Sequence, residues 1–130
     1  MKRIKKLSSF AILLLLCASC VQKQHMKIVT FRIDMTAVMP LGNVGLKGQF
    51  TSPSWEQEIP LTDDDKDGVY EVTISKETAQ NTAEFKFIHN GEYELENQKN
   101  RQIQMKYEPE TVIYEAVFND PNGIQTNKLK

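Results

Sequence analysis

Apolar and polar residues alternate along most of the chain after residue 25, the pattern of strands that bury one face. The alternating runs are Val29–Met35, Val44–Gly48, Ile59–Leu61, Tyr70–Ile74, Ala83–Phe87, Tyr93–Leu95, Ile103–Met105 and Val112–Phe118. Asn90-Gly91 marks a hairpin turn. Lys76–Gln80 is the one helical candidate, a single turn at most. The pattern therefore predicts an all-β fold, an antiparallel β-sandwich of about seven to eight strands.

The chain's single tryptophan, Trp55, lies in a Pro/Ser-rich loop between two predicted strands. Two interpretations remain open. A lone tryptophan at a strand edge is either a plug in the core, as its usual burial favours, or an exposed platform for stacking. The solvent exposure of Trp55 separates these interpretations.

The first residues have the pattern of a bacterial lipoprotein signal. Lys and Arg residues open the chain, an apolar run follows from Phe10 to Leu16, and Ala18-Ser19-Cys20 ends it. The run is shorter than the roughly 20 residues that cross a bilayer. We therefore expect residues 1–19 to be removed and Cys20 to be diacylated, which places the protein on a membrane of a bacterial cell envelope, the outer rather than the inner one. An ordinary signal cleaved near Ser19 is the alternative.

Removing residues 1–19 changes the charge balance and the thiol content. The chain has 16 Lys and Arg against 17 Asp and Glu, and four of the basic residues lie in the signal, so the mature chain carries a net charge of −5. Nucleic acid is not an expected partner, since phosphate binding needs a basic patch. With Cys17 removed and Cys20 acylated, no thiol remains for a disulfide, metal ligation or catalysis.

The mature chain is long enough for one domain and one core. We expect residues 20–26 to be a polar tether, residues 27–119 to be the sandwich and residues 120–130 to be a flexible tail.

An ordered series of short motifs resembles starch-binding and glycogen-recognition modules. The motifs are Gly48-Gln49-Phe50, Trp55, Ile59-Pro60-Leu61-Thr62, Asp67-Gly68-Val69-Tyr70, Phe85-Lys86-Phe87 with Asn90-Gly91-Glu92-Tyr93, and Asn100-Arg101. This resemblance implies an immunoglobulin-like sandwich. Many relatives keep such a fold without sugar binding.

The resemblance also implies a binding site. Trp55 and Tyr93 match the two stacking aromatics, Lys86 the lysine of the central strand and Asn100 the late asparagine that bonds sugar hydroxyls. A second alignment register would put Leu95 at the position of Tyr93. Aromatic rings offer area to the C–H face of a sugar, while amide and ammonium groups give direction to its hydroxyls.

Two acidic patterns have other interpretations. Asp63, Asp65 and Asp67 before Gly68 imitate the start of a calcium loop, but the twelfth position is Ile74 rather than Glu, so a solvated turn is the alternative. Glu92, Glu94 and Glu96 share one predicted strand face at a spacing near that of glycosidase carboxylates, and such a row is normally the wet face of a strand. We predict no enzyme and no cofactor.

These observations predict a membrane-anchored lipoprotein that binds α-glucan or a related glycan without catalysis. An envelope enzyme or transporter is a candidate partner. The alternative is a lipoprotein that uses the same sandwich for protein interaction or a structural role. If the protein binds a sugar, we expect the rings of Trp55 and Tyr93 to be exposed and about coplanar.

Overall fold

A computed structural model describes residues 22–39 and 41–129. Nine strands occur in these ranges: β1 His25–Asp34, β2 Val44–Gly48, β3 Ile59–Pro60, β4 Val69–Thr78, β5 Thr82–His89, β6 Glu92–Tyr93, β7 Arg101–Gln104, β8 Glu110–Val117 and β9 Gly123–Leu129. The predicted signal and Cys20 lie outside the described residues and stay predictions. No helix in the described part of the chain has the length and apolarity to cross a bilayer.

The strands form two sheets. Sheet A has the order β4-β1-β8-β9, and sheet B has the order β3-β2-β5-β6, with β7 also paired to β5. Neighbours are antiparallel except β1 and β8, which run parallel. Every predicted strand is present, so the all-β immunoglobulin-like sandwich is confirmed, with that one parallel pair as the exception to an antiparallel arrangement.

The core lies between the two sheets and consists of the inward members of the alternating runs. Fully or almost fully buried members are Phe31, Ile33, Met35, Leu46, Phe85, Phe87, Ile103 and Val112. The Phe85 ring meets those of Phe31 and Tyr114 edge-on, with centroids 4.9 and 5.0 Å apart. The alternation predicted over Ala83–Phe87 is therefore confirmed, with Phe85 and Phe87 on its buried face.

Three predicted boundaries are wrong. Residues 123–129 form β9, paired along β8 from Gly123 to Leu129, where a flexible tail was expected. This strand lies at the edge of sheet A, and its polar side chains form hydrogen bonds there instead of apolar contacts. The sequence therefore shows no alternating apolar pattern over these residues. Strand β1 takes His25 and Met26 from the predicted tether, and β4 runs to Thr78 where a helical turn was a candidate.

A buried ion pair closes one end of the sandwich. The Lys27 ammonium lies 3.0 Å from the Glu110 carboxylate, and both side chains are almost fully buried. Lys27 also donates to the carbonyl groups of Lys106 and Glu108, so it ties the start of β1 to the connection before β8.

Candidate functional site

The four residues expected to contact a ligand lie together beside sheet B. Trp55 comes from the β2–β3 connection, Lys86 from β5, Tyr93 from β6, and Asn100 directly precedes β7. With Glu92, Glu96 and Asn97 they line an open concavity of about 780 Å³, here called the aromatic concavity. Lys86 reaches it because it alternates with the inward-facing Phe85 and Phe87 on β5.

The two aromatic rings are neighbours but are not coplanar. Their centroids are 6.3 Å apart and their planes meet at 61°. Tyr93 is 44% exposed, whereas Trp55 is only partly exposed. Trp55 is thus neither a core plug nor a free platform, and the expected coplanar arrangement is wrong. The pair forms an angled corner with apolar faces.

The backbone holds Trp55 in an uncommon conformation. Its φ of 64° lies in the left-handed region, which bulky residues rarely adopt. The Trp55 N–H donates to the carbonyl oxygen of Gly48 and to the Thr51 hydroxyl oxygen, both at 3.0 Å. Thr51 is buried and its hydroxyl donates to the same Gly48 carbonyl at 2.8 Å. These bonds hold the loop at the end of β2 and fix the main chain at Trp55.

Lys86 serves the site mainly by holding a loop. Its ammonium donates to the main-chain carbonyl groups of Leu95 at 3.0 Å and Gln98 at 3.1 Å. An ammonium has three N–H groups, so one is left for a ligand. Lys86 therefore fixes the segment between β6 and β7 and adds a single donor to the concavity.

The polar rim is completed by Asn100 and Lys47. The Asn100 amide donates to the Glu84 carboxylate at 3.3 Å, which leaves its carbonyl oxygen free to accept. The Lys47 ammonium lies 5.9 Å from the centroid of the Tyr93 ring, within reach of a cation–π contact. Amide and ammonium groups thus surround the aromatic corner.

A buried ion pair behind the concavity escaped the sequence analysis. Glu94 is 1% exposed. One of its oxygens accepts from Arg101 Nε at 2.5 Å and from the Phe87 N–H, and the other accepts from Arg101 Nη2 and the Asn119 N–H. Burial lowers the pKa of Arg101, but the hydrogen bond and charge of Glu94 outweigh it, so the pKa is raised. The pair anchors the chain directly after Tyr93.

The expectation that Glu94 lies on a wet strand face is therefore wrong. Strand β6 ends at Tyr93, and Leu95 has a φ of 53°, which breaks the period of two. Glu94 and Leu95 are consequently both buried, although they are consecutive. A sequence signal for the pair did exist, because Arg101 shares the inward period of Ile103 on β7.

The three aspartates predicted as the start of a calcium loop also come together. Carboxylate oxygens of Asp63, Asp65 and Asp67 lie within 4.8 Å of one another. Asp63 accepts hydrogen bonds from the N–H groups of Asp67 and Gly68, and its hydrogen bond to Asp65 raises the pKa of Asp65. The arrangement is that of a capped turn, and no metal site is proposed from it.

The similarity of this chain to known proteins is remote. No family model matches the sequence, and no curated protein matches it. The solved structures that are similar include the first and second CBM25 modules of the beta/alpha-amylase from Paenibacillus polymyxa. The first has 16% identity and a TM-score of 0.45 over 81% of this chain and 95% of the module. The second has 14% identity and a TM-score of 0.45 over 82% and 96%. At these values the similarity carries no conclusion about a ligand.

Proposed function

We propose that the protein is a lipid-anchored lipoprotein of a bacterial cell envelope whose sandwich binds an α-glucan or a related neutral glycan without catalysis. The observation that carries the proposal is the aromatic corner of Trp55 and Tyr93 on an open, polar-rimmed concavity. A sugar ring can lay its C–H face on either ring, while its hydroxyls meet the amide of Asn100 and the remaining donor of Lys86.

The angle between the rings favours a curved chain over a flat one. Successive rings of an α-1,4-linked glucan turn relative to one another, whereas those of a β-1,4-linked glucan form a flat ribbon. Platforms that meet at 61° fit two sugar rings that are themselves inclined. The tilt therefore supports an α-linked glucan.

The charges at the rim favour a neutral ligand. Glu92 and Glu96 are exposed and line the aromatic concavity, so their carboxylates oppose an anionic glycan. Glu94, between them, is engaged with Arg101 and is not available for acid–base chemistry on a bound sugar. The exposed carboxylates at the rim and the engagement of Glu94 with Arg101 both agree with binding of a neutral glycan without catalysis. An envelope enzyme or transporter is the partner that would use such a module.

Electrophoresis through a gel containing amylopectin tests the proposal. Residues 22–130 contain every described strand and should migrate more slowly with amylopectin than without it, and should not be slowed by a soluble cellulose derivative. Tyr93→Ala should abolish the retardation. Tyr107→Ala is the matched control, because Tyr107 is 54% exposed and lies outside the aromatic concavity. Absence of retardation, or equal loss in both variants, would contradict glycan binding at this site.

A second candidate function, protein binding, has one observation in its favour. Met39 is 83% exposed and Leu41 is 51% exposed in the β1–β2 connection. Exposed apolar clusters often mark protein contacts. On this alternative, Met39→Ser with Leu41→Ser should disrupt a complex isolated from the envelope, and Tyr93→Ala should leave that complex intact.

A further inference from the structure

The strand registers define two opposite ends of the sandwich. At one end His25 pairs with Thr78 and Glu110 pairs with Leu129. Residues 22–27, 76–81, 105–110 and 127–129 form this anchor end. At the other end Asp34 pairs with both Val69 and Val117. Residues 34–39, 62–69 and 117–122 form this far end, a full strand length away.

Charge is divided unequally between these ends. The exposed lysines of the anchor end are Lys23, Lys76, Lys106 and Lys128, and its carboxylates are Glu77, Glu108 and Glu110, the last neutralised by buried Lys27. The far end has Asp34, Asp63, Asp64, Asp65, Asp67 and Asp120 against the single Lys66. The domain is thus polarised along its strands, positive at the anchor end and negative at the far end, although the mature chain is acidic.

The anchor end also has the side chains of a membrane interface. Tyr107 is 54% exposed, and its ring stands edge-on to His25 with centroids 4.7 Å apart. Met26 is 40% exposed on the same end. Tyr107 borders an open concavity of about 670 Å³ whose other walls include Gln22, Gln24, Gln80, Asn81 and Lys76. Tyrosine suits the headgroup level of a bilayer, and amide and ammonium N–H groups donate to phosphate oxygens.

The predicted lipidation site lies close to this end. Only four residues separate Cys20 from His25, the first residue of β1. The five residue steps from Cys20 to His25 span at most roughly 18 Å when the chain is fully extended. We propose that the anchor end is a docking surface for a bilayer with anionic headgroups. Docking holds the strands upright, directs the acidic far end away from the membrane and opens the aromatic concavity sideways.

Nuclear magnetic resonance on vesicles tests this orientation. The mature chain has a single thiol at Cys20, which can be coupled to a maleimide lipid, so neither natural lipidation nor glycan binding is needed. The vesicles contain phosphatidylglycerol and phosphatidylcholine in equal parts and a lipid with a gadolinium chelate on its headgroup. Amide signals of residues 79–81 and 105–108 should broaden far more than those of residues 63–68.

Charge reversal separates docking from the effect of a short tether. Lys76→Glu with Lys106→Glu and Lys128→Glu should remove most of the difference between the ends, as should vesicles of phosphatidylcholine alone. Lys66→Glu with Lys99→Glu, both exposed and outside the anchor end, should leave it unchanged. Equal broadening at both ends would overturn the proposal. The proposal would also be overturned if the difference in broadening persisted in neutral vesicles or in the variant of Lys76, Lys106 and Lys128. The short tether alone would then account for that difference.

Discussion

Glu94 accepts four hydrogen bonds directly after Tyr93, the exposed aromatic of the concavity. Arg101, its partner, also donates to the Tyr114 hydroxyl and to the carbonyl groups of Val117 and Asp120. A buried pair of this kind adds little net stability, but removing one partner leaves a buried charge without compensation. The intact pair therefore fixes the position of the chain next to Tyr93 and adds little to the free energy of unfolding.

Replacing Arg101 should be costly for this reason. Arg101→Met leaves the buried Glu94 carboxylate with only two main-chain N–H donors, and we expect a loss of about 3–5 kcal/mol in the free energy of unfolding. Lys99→Met, two residues earlier and exposed, should change it by less than about 0.5 kcal/mol. Urea denaturation followed by Trp55 fluorescence measures both. Equal urea midpoints for Arg101→Met and Lys99→Met would contradict the burial of the Glu94–Arg101 pair.

At the scale of elements, β9 closes the sandwich by amide contacts. The Gln125 side chain accepts from the Gln104 N–H at 3.0 Å and donates to the Gln104 carbonyl at 2.5 Å. The Asn127 amide donates to the same carbonyl and to Glu110. Since Gln104 ends β7 in sheet B, these side chains join the edges of the two sheets.

A chain that ends at Asn122 should consequently be less stable. It loses the pairing of β8 along β9 and leaves the hydrogen-bonding edge of β8 without a partner strand. We expect a lower urea midpoint than for the full mature chain, whereas Lys128→Ala, an exposed change within β9, should have almost no effect. A truncated chain with an unchanged midpoint would restore the flexible-tail prediction.

The Lys27–Glu110 pair should make stability depend on pH. Burial raises the pKa of Glu110, but the hydrogen bonds from Asn127, from Lys27 and from the Lys106 N–H together lower it below 4.5. A carboxyl with a lowered folded pKa stabilises the fold above its unfolded value and loses that contribution as the pH falls through the folded pKa.

The difference in urea midpoint between the wild type and Glu110→Gln should therefore be large at neutral pH and should shrink below pH 4.5. Glu115→Gln, whose carboxylate pairs with Arg32 at the surface, should show a small difference at both pH values. A Glu110→Gln difference that is independent of pH would contradict the proposed role of its charge.

A strand could be predicted from the sequence where it packs an apolar face on the core. Strands such as β1 and β5 bury an apolar face, so their alternation reveals them. Strand β9 carries Gln125 and Asn127 where an apolar pattern would show, so composition alone suggests a tail. The approach of Lys86 and Tyr93 follows from the Asn90-Gly91 turn between β5 and β6. The place of Trp55 and the tilt of the rings depend on the backbone at Trp55, which no periodic pattern encodes.

At the scale of the whole molecule, the proposed anchor and the binding face are separate. In the proposed lipoprotein the acyl chains attach at Cys20, so Cys20→Ala should give a protein that takes up no palmitate and keeps its signal. Metabolic labelling with palmitate measures this, and replacement of Cys17 by alanine is the control that should remain labelled. Label retained by Cys20→Ala would contradict the lipoprotein assignment.

Glycan binding on the aromatic corner is the central claim, and calorimetric titration of residues 22–130 with maltoheptaose tests it most directly. Two stacked rings and a few hydrogen bonds, set against the ordering of a flexible sugar, should leave about −4 to −7 kcal/mol, a dissociation constant between about 1 mM and 10 µM. Tyr93→Ala should abolish the heat of binding and Tyr93→Trp should preserve or strengthen it, while Tyr107→Ala should bind as the wild type does. No heat with the folded wild type at millimolar maltoheptaose, or full binding by Tyr93→Ala, would contradict the account.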